Sequence, residues 1–184
     1  MFAEPHELGF DPTMVPHRAS DGSIQYDISV QSLGKEPSVY RTIGVLYDGG
    51  YGSPFGRATR VWKAKRLSAT GEMMGESVAL KECWVTPHRE REGDISAGIR
   101  KSSVSLESED YEQLNELLLT VLDHGDVYVV GSLDCTKNLP EVITKESSER
   151  VHYRIVHAEV GIPLHEETSL QVIFLALVDV CGGA

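Results

Sequence analysis

Val78-Ala79-Leu80-Lys81 is the stretch of this sequence whose residue types and spacing come nearest to a chemical function. Successive side chains of a strand alternate between its two faces. Ala79 and Lys81 then share one face, with Val78 and Leu80 packed beneath. A side chain as small as Ala79 lets a flat heterocyclic base lie close to the sheet. Lys81, one step along the same face, can reach phosphates attached to that base. The same four residues also suit a surface lysine that ends a buried strand, so the neighbours must decide. If Lys81 stands in a pocket an acid must partner it, because breaking a buried pair costs roughly 3–5 kcal/mol. The charged stretch Arg89-Glu90-Arg91-Glu92-Gly93-Asp94 follows and supplies Glu90 and Glu92. An opposite charge nearby also keeps such a lysine ionised.

The elements that would hold these groups show as periodic patterns. Residues 1–22 mix Pro5, Pro12, Pro16, Gly9 and Gly22 with polar residues and read as an irregular arm. Ile24, Tyr26, Ile28 and Val30 alternate with polar residues, the period of a strand with one buried face. Val39 to Tyr47, Thr59 to Leu67 and Ser77 to Trp84 read as a meander of antiparallel strands, broken by a loop at Asp48 to Pro54 and a turn at Gly71 to Gly75. His88 to Asp94 suits the start of a helix. The clearest helical period runs from Asp110 to His124, with Leu114, Leu117, Leu118, Val121 and Leu122 on one stripe and Gly125 at its end. Val127 to Val130 and Val151 to Glu159 read as strands, with a polar loop or insert from Leu133 to Arg150 between them. A capping-box spacing at Thr168 to Gln171 opens a helix that is apolar nearly all round, from Leu170 to Val180, and such helices are buried.

Composition narrows the function classes. The chain has 184 residues and a net charge of -11, a poor match to the basic faces of nucleic-acid binders. Cys83, Cys135 and Cys181 are odd in number and far apart, which argues against a disulfide framework or a zinc site and for a reduced, intracellular setting, cytoplasmic or nuclear. The longest apolar run, Leu170 to Val180, is too short to span a bilayer, so a soluble chain without membrane contact is expected. His88, His124, His152, His157 and His165 show no ligand spacing, so no metal site is expected. The serines lack the glycines of a nucleophile elbow. Trp62 and Trp84 suit core or interface positions better than stacking platforms.

Five blocks then occur in a telling order: Phe55 to Trp62, Ala79 to Val85, Arg91 to Ile95, His152 to Val156 and Glu159 to Leu164. In type and order they are similar to F-G-R-x-T-R-V-W, A-L-K-x-x-W-V, R-E-G-D-I, H-Y-R-I-V and E-V-G-x-P-L of fungal-type protein kinase domains. The chain resembles that family over roughly residues 39 to 184, the four-residue strand motif being a kinase signature. The resemblance implies an α+β fold. It would hold a kinase-like amino-terminal lobe (an antiparallel sheet plus the regulatory helix αC), a helical insert near 110–124 and the first helix of the second lobe. Residues 1–38 would be an amino-terminal extension and 39–184 the partial kinase-like domain.

The resemblance also implies a site. Lys81 and Glu92 would form the catalytic ion pair, Glu92 being preferred because Glu-x-x-Ile is similar to the spacing around the family's carboxylate, with Glu90 as the alternative. ATP would be held by Gly56, Val61, Ala79, Lys81, Glu159 and Gly161. Val61-Trp62-Lys63-Ala64 resembles the V-Y-K-A that follows a glycine-rich loop. Gly56 would be the middle glycine of that loop, with Pro54 and Thr59 in the outer places, or Gly56 and Ala58 would be the first two of a shorter one. Ala158 would take the gatekeeper position, and Glu159 and Gly161 the hinge carbonyl and N–H. Partners would be ATP and a protein substrate, with Mg²⁺ where the second lobe is present.

Family members carry H-R-D and D-x-G elements after the final helix. His165-Glu166-Glu167 is not His-Arg-Asp, Asp179 has no asparagine after it, and Leu133-Asp134-Cys135 lacks the glycine and lies too early. Residues 1–184 are therefore expected to be catalytically incomplete on their own. The alternatives are a non-catalytic, pseudokinase-like regulatory or interaction module, and a coding sequence that continues past Ala184.

Overall fold

The computed structural model describes residues 11–49, 57–104, 108–138, 149–163 and 166–182. Seven strands form one antiparallel sheet: β1 (Met14–Arg18), β2 (Ile24–Val30), β3 (Ser38–Asp48), β4 (Arg60–Leu67), β5 (Met73–Val85), β6 (Val121–Asp126) and β9 (Val151–His157). Their order is β1-β2-β3-β4-β5-β9-β6. The short strands β7 (Tyr128–Val129) and β8 (Ser132–Leu133) pair separately. Three helices complete the described residues: α1 (Glu92–Ser103), α2 (Ser108–Leu117) and α3 (Leu170–Gly182). The architecture is α+β, a large antiparallel sheet with few helices, and it is compatible with a kinase-like amino-terminal lobe.

The sheet curls on itself. β2 and β9 are separated by three strands in the order, yet Arg154 of β9 donates to the Ser29 carbonyl of β2 at 2.9 Å. Asp123 of β6 accepts from Tyr40 Oη of β3 at 2.5 Å and from Ser32 Oγ, just past β2, at 3.0 Å. The inside of the curl holds the main core: Ile28, Val30, Tyr40, Trp62, Ala64, Val78, Leu80 and Val156. A smaller cluster of Cys83, Tyr153 and Ile155 occupies the opposite face, with Val85 and Val121 against it. β9 is therefore covered on both sides, and all seven of its residues are buried.

Several sequence expectations change here. Part of the supposed arm is ordered as β1, because β2 needs a partner on its free edge. The helix expected from Asp110 to His124 stops at Leu117, and Val121 to Asp126 becomes β6. The apolar period was genuine, but the open edge of β9 offers backbone hydrogen bonds that a helix would leave unmade, and tertiary pairing overrides local propensity. Gly125 is not a helix end; it lies where β6 meets the Gln31 carbonyl, and a Cβ there would come within 1.8 Å of that oxygen. Gly125→Ala is accordingly expected to cost about 1–3 kcal/mol by overpacking. A denaturation midpoint equal to wild type would sink that expectation. Of Val127 to Val130 only Tyr128 and Val129 are strand, β8 (Ser132–Leu133) reaches the first residue of the polar insert, and Thr136–Asn138 within it forms a single 3-10 turn. Residues 139–148 of that insert lie outside the described residues.

The final helix forms where expected, but its burial does not. Leu170 is 70% and Phe174 64% exposed, and Val172, Leu175, Leu177 and Val178 are also exposed. Among the described residues no helix is long and apolar enough to cross a membrane.

Candidate functional site

Lys81 lies on β5, opposite Val61 of β4 and Ile155 of β9. Strand alternation puts Ala79 on the same face, as expected, and Ala79 is buried. α1 begins at Glu92, with the extended Arg91 before it. Arg91 clamps Asp126 of β6 through two contacts, Nε to Oδ1 at 2.7 Å and Nη2 to Oδ2 at 3.0 Å, the bidentate geometry that fixes orientation as well as distance. Gly93 lets the helix start close: its N–H donates to Tyr153 Oη at 3.0 Å, and a Cβ there would lie 2.3 Å from the His124 ring. Glu92 and Asp94 in the first turn also suit the positive end of the helix dipole.

This docking brings Glu92 onto Lys81, with Nζ 2.5 Å from Oε2. Glu90 lies exposed ahead of the helix. The two side chains of the pair are 29% and 46% exposed, so its contribution to stability is at most about 1 kcal/mol. Its significance is positional. Oε1 of Glu92 faces Nε2 of His157 at 3.6 Å. His157 first and Lys81 after it, against the opposing effect of burial, hold the Glu92 carboxyl down at about 2.

The other expected site residues are placed as follows. Val61 is half-buried directly across from Lys81. Gly56 lies outside the described residues. Glu159 and Gly161 follow β9, and this segment is tied to the start of β6: the Ala158 N–H donates to the Thr120 carbonyl and the Thr120 N–H to Glu159 Oε2, at 2.9 and 2.8 Å. Burial pushes the Glu159 carboxyl up, but those Thr120 hydrogen bonds outweigh it and leave it lowered. Ala158 does not share the face of Lys81. It lines a cleft of about 670 Å³ with Val78 and Leu122, whereas His157, opposite Ala79, stands beside the pair. Sequence reading passed over His157. Strand period groups it with Tyr153 and Ile155, but only the register of β9 on β5 shows what that face meets.

Glu82 points the other way, into a buried charge network. Arg154, 0% exposed, donates to Glu82 Oε2 at 3.1 Å, to Thr13 Oγ1 at 2.7 Å and to Asp11. His152, stacked on Trp84, has Nε2 3.2 Å from Glu82 Oε1 and Nδ1 2.8 Å from Asp134 Oδ2. Asp11, Glu82 and His152 have ligand atoms within 4.8 Å of one another, which is metal-ligand spacing. The Arg154 guanidinium already occupies that position as the cation, binding both carboxylates, so these residues do not fit a metal ion.

The model of the fungal protein kinase family matches residues 1–183. No curated protein and no solved structure matches the chain. With nearly every residue inside that family match, and with Lys81 and Glu92 joined on one face of the sheet, the chain belongs to the fungal protein kinase family.

Proposed function

We propose that these residues form the nucleotide-binding half of a protein kinase, which with its second lobe passes the γ-phosphoryl of ATP to a serine or threonine hydroxyl of a protein. The observation that carries the reading is the Lys81–Glu92 contact beside Ala79. A lysine ammonium has three donors and Glu92 takes one, which leaves two for phosphate oxygens. The small, buried Ala79 and the half-buried Val61 are suited to flank a base. The backbone of Glu159 and Gly161 would meet its edge, and Gly56 would belong to the loop over the phosphates. In this reading α1 is the regulatory helix, α2 the insert and α3 the first helix of the second lobe. ATP, when bound, supplies the phosphoryl group. The base and the Mg²⁺ ligands would come from the H-R-D and D-x-G elements, which are not among these residues. An intracellular setting, cytoplasmic or nuclear, belongs to the same proposal.

Calorimetric titration with ATP tests it. Lys81→Ala is expected to weaken binding at least about tenfold, the worth of a charge-assisted hydrogen bond, with little change in melting temperature because the pair is half-exposed. Equal affinity in the two proteins would refute the nucleotide role. The exposed apolar residues of α3 favour a second reading, a non-catalytic interaction module. A folded protein that binds no ATP would support that one instead.

A further inference from the structure

Lys81 occupies one oxygen of Glu92, and a third residue faces the other. His157 is the last residue of β9 and is 7% exposed. Its Nε2 points at Glu92 Oε1, and its Nδ1 finds no hydrogen-bond partner among the described residues. Burying a polar group without a partner is unfavourable, and an apolar side chain in the same space would not carry that penalty. The imidazole is therefore poorly explained as core packing. Other charged groups nearby are Lys81 on β5 and Glu159 two residues on, while Val121, opposite it on β6, is uncharged.

A glutamate carboxylate turns easily about its last torsion, which has broad wells. Held at one oxygen by a flexible lysine, it keeps that freedom. Held at both, it has a single orientation. We propose that His157 is a positioning residue that holds Oε1 of Glu92, so that Oε2 faces Lys81 and the lysine stays extended along the face it shares with Ala79. The contact also couples the first residue of α1 to the strand that leads into Glu159 and Gly161. The placement of the helix and of the base-contacting segment are then linked through one carboxylate. This inference rests on the nucleotide site proposed above.

The test is a double-mutant cycle on His157→Leu and Glu92→Ala, with ATP affinity measured by calorimetry and stability by urea unfolding of the same proteins. His157→Leu is expected to weaken ATP binding roughly threefold to fivefold, since the 3.6 Å contact is polar but longer than a full hydrogen bond. His157→Gln, whose amide can still donate to Oε1, should recover most of that loss. In the Glu92→Ala background, where no acceptor is left, His157→Leu should have no further effect. If Lys81→Ala weakens binding and His157→Leu does not, the positioning role is overturned and the nucleotide site stands. If the wild type binds no ATP, the nucleotide site falls, and the unfolding data decide on the contact: non-additive losses support it and additive losses overturn it.

Discussion

Arg154→Ala is expected to destabilise this fold by about 3–5 kcal/mol, as removal of one partner from a buried ion pair does. A typical domain is stable by only about 5–15 kcal/mol, so a large part of the total is at stake. The reason is topological. Arg154 lies on β9, which is covered on both faces, and its fully buried guanidinium ties Glu82 of β5 to Asp11, Thr13 and the Ser29 carbonyl at the other end of the curled sheet. Alanine would leave the Glu82 carboxylate in the interior with His152 alone and would release β1 and β2 from the inner face. Arg154→Lys keeps the charge but loses the fork, and should recover only part of the stability, since one ammonium cannot span all these acceptors. Urea unfolding of the three proteins measures both steps. A loss below about 1 kcal/mol for the alanine variant would mean that the network holds nothing together.

Acid should remove a comparable amount through Glu82. Burial pushes this carboxyl up, but His152 and then Arg154 outweigh it and hold it at about 2, against an ordinary 4.5. The folded chain therefore binds this proton less readily than the unfolded one. The stabilisation is complete above the unfolded value and is lost as pH falls toward 2. At about 1.4 kcal/mol for each pH unit of difference, the loss is about 3 kcal/mol. Glu92 adds under about 1 kcal/mol to the same limb because it is half-exposed. His152 acts at the other end. Burial lowers it, but Asp134 and Glu82 raise it above 6.5, so its contribution is complete below that value and fades as pH rises through the folded one. Both effects share the Glu82–His152 contact. Stability measured against pH should therefore form a dome, and Glu82→Gln should flatten the acid side. An acid limb of unchanged slope in that variant would refute the assignment.

How much was legible beforehand varies by element. The meander from β3 to β5 could be read because its strands are adjacent and their turns carry glycines. β6 could not, since Leu114, Leu117, Leu118, Val121 and Leu122 fit a helical stripe and nothing local shows that β9 has an open edge. The helical pattern of α3 was clear, but a pattern of apolar residues does not say what, if anything, covers them. The charge network was equally hidden: Asp11, Glu82, Asp134, His152 and Arg154 are scattered through the chain and meet only in the fold.

The candidate site divides in the same way. That Ala79 and Lys81 share a face follows from the sequence alone, because alternation is a property of the extended backbone and needs no partner. That Glu90 and Glu92 were the available acids was equally a matter of sequence. Which of them reaches Lys81 was decided by the docking of α1, through the Arg91–Asp126 clamp and the close approach at Gly93. That His157, and not Ala158, stands beside the pair was decided by the register of β9 against β5. A one-residue slip of that register would exchange the two faces of β9, and the register is set by its buried side chains and by pairing between distant segments, which no local pattern contains.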